Sequence, residues 1–172
     1  MNIGIDPGVA SFGIAVEHSG ELVYSEYWSP RDFGSIKNFV ELMIVDMYRD
    51  NPIFLSNALG EVTIERFVAY KGIHSDASEK ILMLIGALNY KFDTLTGVAP
   101  TMVRAIDWKP KVCKYLVRTK GFNNPYPSFD KKFSMLAAEA LSGEKIENDH
   151  IADAVCLSYL GRIDEYNNRR TG

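Results

Sequence analysis

The sequence predicts an α/β fold, a mixed five-stranded sheet flanked by helices, and three observations lead there. Alternating apolar residues over 2–6, 12–17 and 21–28 put three strands at the N-terminal end. Two further short apolar runs are interleaved with longer stretches whose apolar residues recur at helical spacing. The length of 172 residues, with 47% hydrophobic and 24% charged residues, suits one domain with a proper core.

The elements follow in order. In the first strand Ile3 and Ile5 point one way, Gly4 and Asp6 the other. In the second, Phe12, Ile14 and Val16 alternate with Gly13, Ala15 and Glu17, and His18-Ser19-Gly20 turns the chain into the third as a hairpin. The short link from Pro7 to Ser11 makes the first pair antiparallel too. A helix over 35–49 carries Ile36, Phe39, Val40, Met43, Ile44 and Met47 on one stripe, with Ser35 as its N-cap. Residues 62–67 form the fourth strand, about 76–95 a long helix, and 101–106 a fifth strand. Pro110 suits the first turn of the next helix, which bears Val112, Cys113, Leu116 and Val117. Gly121 to Pro127 reads as a loop, Asp130 to Leu141 as a helix, and about 149–166 as the last helix. The chain is expected to be a single domain over 1–172, its tail from about 167 frayed.

Composition narrows the class. No apolar run approaches the roughly 20 residues of a membrane span, and the N-terminal residues enter a strand directly, so a cytoplasmic protein with no membrane partner is expected. Cys113 and Cys156 are far apart and in no metal spacing, which fits reduced, packed thiols. Net charge is −3, yet residues 100–132 hold eight basic side chains against Asp107 and Asp130, a local +6 that leaves −9 elsewhere. Such a segment can meet a phosphate backbone, although a solvated helix face explains it as simply.

Scattered carboxylates carry the chemistry. Asp6 ends the first strand and Glu65 lies near the end of the fourth, each sharing a strand face with a small residue, Gly4 or Thr63. If these strands are parallel neighbours, both acids leave the same end and face of the sheet, and the small residues leave room for ions and a phosphate. At ~100° per residue, Asp149 and His150 both lie near Asp153 on the last helix. Oxygen-rich sites suit Mg²⁺ or Mn²⁺, and a pair of such ions can drive an in-line displacement at phosphorus. Each acid alone has an ordinary role: turn former, surface ion-pair member, or, for Asp149, helix N-cap. Their joint occurrence with matching strand parity favours a common site.

The runs Ile3-Gly4-Ile5-Asp6-Pro7-Gly8, Ile64-Glu65-Arg66-Phe67 and His150-Ile151-Ala152-Asp153-Ala154 resemble the RuvC family of Holliday junction resolvases, in the ribonuclease H-like superfamily. The likeness extends over nearly the whole chain in element order and motif spacing. It implies a ribonuclease H-like sheet and a homodimeric, Mg²⁺-dependent endonuclease that makes paired symmetric nicks in a four-way DNA junction. Mn²⁺ would substitute, with two ions per site and no small-molecule cofactor, and the setting would be a bacterial or virus-infected host cell. Carried over by motif, Asp6, Glu65, His150 and Asp153 would be the catalytic, metal-holding residues. Asp149 has no counterpart in the motif, so the fourth ligand stays open between it and His150. Phe67 matches an aromatic placed near the junction, and Lys109 a lysine near the scissile phosphate; Lys111 and Lys114 beside it would also contact the DNA backbone.

Gly4-Ile5-Asp6-Pro7-Gly8 with Phe12-Gly13-Ile14-Ala15-Val16 also resembles the first phosphate loop of actin-like and Hsp70-like ATPases. Those proteins need a second domain and a second glycine-rich loop, which 172 residues do not accommodate. A non-catalytic junction binder is the other alternative, but a pure binder gains nothing from carboxylates facing phosphate. Flaps, three-way branches or RNA-containing duplexes remain open as substrates.

Overall fold

Side-chain alternation divides the sheet into an apolar face and a face of small and acidic residues. The computed structural model describes residues 1–50, 60–68, 76–125 and 128–169. Its strands are β1 (Asn2–Asp6), β2 (Phe12–His18), β3 (Glu21–Trp28), β4 (Val62–Glu65) and β5 (Thr101–Val103), in the order β3-β2-β1-β4-β5. The first three form an antiparallel meander, and β4 and β5 add in parallel beside β1. This is the expected mixed sheet, with β1 central and its neighbour β4 parallel to it.

Ile3, Ile5, Phe12, Ile14, Val16, Val62 and Ile64 bury the apolar face beneath α1 (Ile36–Asp50) and α2 (Asp76–Thr96). Ser35 Oγ accepts from the Asn38 amide at 3.2 Å, so α1 starts where the sequence indicates. The opposite face meets α3 (Ala105–Lys120), α4 (Lys131–Ser142), α5 (Asp149–Ser158) and α6 (Leu160–Asn168). Here the strands carry Gly4, Gly13 and Ala15, which lets α5 lie directly on β1 and β2. A Cβ on Gly4 would stand 2.0 Å from the Ala154 carbonyl oxygen, and one on Gly13 would stand 2.1 Å from that of His150. Gly4 therefore makes room for a helix backbone, not for the ions and phosphate expected there.

Several boundaries differ from the sequence expectation. The fifth strand stops at Val103, and α3 begins at Ala105 instead of near Pro110. Arg104 and Asp107 make a two-pronged pair at 2.7 and 2.9 Å that fixes this first turn. Pro110 lies inside α3 on its exposed side, where the carbonyl that loses its helical donor, that of Ile106, belongs to a residue 74% exposed. A short 3₁₀ turn, Pro30–Phe33, precedes α1. The last helix is two, α5 and α6, divided at Tyr159, whose hydroxyl donates to the Gly20 carbonyl at 3.0 Å. The helix caps also shift: Asn148 caps α5, its side chain accepting from the amides of His150 and Ile151, and Asp149 is the first helical residue. Helix α6 runs through Asn168, past the start expected for the frayed tail, and 170–172 lie outside the described residues. The loop expected over 121–127 is non-helical through Pro125, with 126–127 outside the described residues.

Candidate active site

Strand register brings the first two acids together. Ile5 of β1 pairs with Ile64 of β4 in parallel register, so Asp6 and Glu65, each one residue on, leave the same end of adjacent strands. Across β1, Asp6 pairs with Gly13, and the backbone of His150 rests on that glycine. The first turn of α5 is thereby set over the strand end. His150 Nδ1 lies 2.6 Å from Asp6 Oδ2, and Asp153, one turn on, is near enough to feel the charge of Asp6 and to act on Glu65. Asp6, Glu65, His150 and Asp153, from three separate elements, form one cluster.

Each acid has a partner of its own within the cluster. The indole Nε1–H of Trp108 donates to Glu65 Oε2 at 2.9 Å, and Lys109 Nζ lies 3.4 Å from Asp153 Oδ1. Asp153 Oδ1 is nevertheless buried and, among the described residues, accepts no hydrogen bond. Burial, reinforced by the charges of Asp6 and Asp153, pushes the Glu65 carboxyl up to about 7 against the opposing pull of Trp108 and Lys109. Burial also raises Asp153, although Lys109 and a Ser134 hydrogen bond work the other way. His150 is raised by its hydrogen bond to Asp6, with desolvation opposing.

This is a site short of positive charge. Three carboxylates, one of which holds that buried oxygen, and an imidazole fit a hard divalent cation as a donor set. The side chains as placed do not close a coordination shell: among the described residues no three His, Cys, Asp or Glu side chains converge as metal ligands. Asp6 turns to His150, Glu65 to Trp108 and Asp153 to Lys109.

The remaining expected residues are dispersed. Asp149 is ion-paired with Lys131 at the rim; burial raises its carboxyl, but Lys131 and His150 outweigh this and hold it below the usual range. Phe67 is half-buried just beyond β4. Lys109 is buried in the acid cluster, not displayed on the surface. Lys111, two residues on and ~200° around α3, pairs instead with Asp164 of α6 at 3.1 Å. Lys114 is exposed, ~140° from Lys109, so the three lysines do not form one stripe.

Two residues near the site escaped sequence reasoning. Trp108 gives no signal in a single sequence beyond being an aromatic near a strand end. Lys131 follows the capping residue Asp130 and feels the charges of Asp149, Asp153 and Asp6. Its place in the basic segment was legible, its approach to the acids was not.

A mixed sheet in this order, with acids at the ends of β1 and β4 and on α5, defines a ribonuclease H-like fold. Within that class the fold is RuvC-like. T. thermophilus RuvC in complex with a Holliday junction substrate aligns over 97% of this chain and 96% of its own, with a TM-score of 0.65 and 18% identity. Fowlpox virus resolvase in complex with Holliday junction DNA aligns over 96% of this chain and 99% of its own, with a TM-score of 0.40 and 16% identity. No protein-family model and no curated protein sequence matches the chain.

Proposed function

We infer that the chain is a divalent-metal-dependent endonuclease, a single nuclease domain acting as a homodimer, that resolves four-way DNA junctions by paired nicks. The observation that carries this reading is the meeting of Asp6, Glu65, His150 and Asp153 at one end of two parallel strands, on a RuvC-like fold. The junction substrate is drawn from the T. thermophilus RuvC complex, and residues of the chain supply the rest of the argument.

Asp6, Glu65, Asp153 and His150 would hold Mg²⁺, or Mn²⁺ in its place. Divalent ions there would supply the Lewis acidity that an in-line displacement at phosphorus requires. Asp6 orients the imidazole: in its neutral form Nδ1–H donates to Asp6 Oδ2, which leaves Nε2 to take or give a proton near the reacting oxygens. Lys109 holds positive charge against Asp153, where an entering phosphate would otherwise meet only carboxylates. Phe67 at the end of β4 and the exposed Lys114 would contact DNA farther out, and Lys111 would do so after leaving Asp164.

Binding and cutting should separate. Glu65→Gln is expected to abolish cleavage while junction binding without metal is unchanged or tighter, because a negative charge near phosphate is removed. Cleavage by this variant at the wild-type rate in Mg²⁺ would take Glu65 out of the site.

A further inference from the structure

Trp108 is among the largest fully buried side chains and packs within the core, yet its indole N–H is turned out of that core toward the acids. A buried indole needs one acceptor for its single N–H. Here the acceptor is a carboxylate oxygen of the acid cluster, Glu65 Oε2 at 2.9 Å and 43 residues away in sequence. The fold fixes this approach. Val103 of β5 pairs with Glu65, the chain enters α3 directly afterwards, and the Arg104–Asp107 pair holds that first turn. The next residue, Lys109, places Nζ 5.0 Å from the centroid of the Trp108 ring and 3.4 Å from Asp153 Oδ1. One turn of α3 thus reaches two carboxylates of the site, with a neutral donor to one and a cation to the other.

We propose that Trp108 is a positioning residue whose indole holds Glu65 Oε2, so that Oε1 is the oxygen presented to a divalent cation. This rests on the reading of Glu65 as a metal ligand. A carboxylate with one oxygen held cannot swing to other orientations without breaking that bond, so its free oxygen is aimed before the cation arrives. The neutrality of the donor matters. An arginine or lysine at Trp108 would orient Glu65 equally well, but its charge would compete with the incoming ion. Phenylalanine keeps an aromatic ring beneath Lys109 and removes the N–H, together with part of the indole's volume.

Trp108→Phe is therefore expected to raise the Mg²⁺ concentration for half-maximal junction cleavage by about tenfold, and to lower kcat. Junction affinity without divalent metal should not change. Calorimetric titration of the DNA-free protein with Mn²⁺ should show the same weakening, and in a Glu65→Gln background Trp108→Phe should change the Mn²⁺ affinity no further. A folded Trp108→Phe protein with wild-type Mg²⁺ midpoint and Mn²⁺ affinity would overturn the proposal. A second measurement avoids altering Trp108. The chain has two tryptophans, so Trp28→Phe leaves Trp108 as the sole reporter. Its emission should change with Mg²⁺ at the midpoint found for cleavage, and emission constant across the titration would also overturn the proposal. Wild-type protein that binds no Mn²⁺ and leaves junctions uncut would remove the nuclease reading and this inference together, whereas normal wild-type behaviour with an unaffected Trp108→Phe removes this inference alone.

Discussion

His150 is tied to Asp6 twice: its Nδ1 lies 2.6 Å from Asp6 Oδ2, and its backbone rests on Gly13, the residue that pairs with Asp6 across the sheet. The second contact permits the first, because any side chain at Gly13 would occupy the place of the His150 carbonyl. Gly13→Ala should push the first turn of α5 off the sheet and open the Asp6–His150 pair. Overpacking of this kind costs ~1–3 kcal/mol, so a lowered Tm with cleavage reduced beyond tenfold is expected. Thermal melts and junction cleavage on one preparation check both halves.

The same geometry separates His150 from its neighbour. His150 faces Asp6 inside the cluster, while Asp149 pairs with Lys131 at the rim. His150→Ala is expected to lose most activity and His150→Asp to keep a substantial part. Asp149→Asn loses an ion pair whose lysine is exposed and whose acid is half-buried, worth ~1 kcal/mol, and should cut at close to the wild-type rate. Rates at saturating Mg²⁺ compare the three; an inactive Asp149→Asn beside an active His150→Ala would reverse the assignment.

Glu65 links the site to pH. Its carboxyl is held at about 7 in the folded protein, against an ordinary value of 4.5. Below the ordinary value both states are protonated and nothing is lost; between the two the folded state binds more protons, so stability falls as pH rises. Above about 7 the whole penalty applies, of order 3 kcal/mol. Glu65→Gln keeps an acceptor for Trp108 and removes the penalty. Without metal, its Tm should exceed the wild-type value at pH 8 and match it near pH 4.5; equal Tm at pH 8 would contradict the shift.

The long helix α2 bears on assembly. The apolar run from Ile81 to Leu88 is not wholly internal: Leu84, Ile85 and Leu88 are buried, whereas Leu82 and Met83 are 57% and 58% exposed. A two-fold dimer that covers these two would suit a two-fold DNA junction. Leu82→Glu or Met83→Glu should lower the mass in solution from dimer to monomer with little change in Tm. A wild-type protein that is an active monomer at micromolar concentration would contradict this.

Much of this site was legible because strands have a period of two. Parity aligned Asp6 with Glu65 once their strands were taken as parallel neighbours, and the helical repeat aligned His150 with Asp153. What was hidden depended on how close backbones come and where the last strand ends. Gly4 reads as open space, yet it admits the α5 backbone, a difference that a residue's size alone does not encode. Ala105 and Ile106 extend the apolar residues of the strand across Arg104, so the Arg104–Asp107 pair that starts α3 early was not apparent, and neither was the reach of Trp108 to Glu65. The three lysines read as one basic stretch until α3 turned Lys109 inward and Lys111 toward Asp164. The apolar pattern runs unbroken through Tyr159, so it concealed the division between α5 and α6.

Metal-dependent junction resolution can be read from a single cleavage assay. Purified protein is incubated with end-labelled four-way, three-way, flap and linear duplex DNA, with Mg²⁺ or with chelator, and the products are mapped on both strand pairs. The expected result is cleavage of the four-way substrate only with Mg²⁺, at symmetric positions on two opposing strands, with linear duplex left intact. A four-way junction that is bound yet uncut in both Mg²⁺ and Mn²⁺, or cut equally well in chelator, would contradict the account.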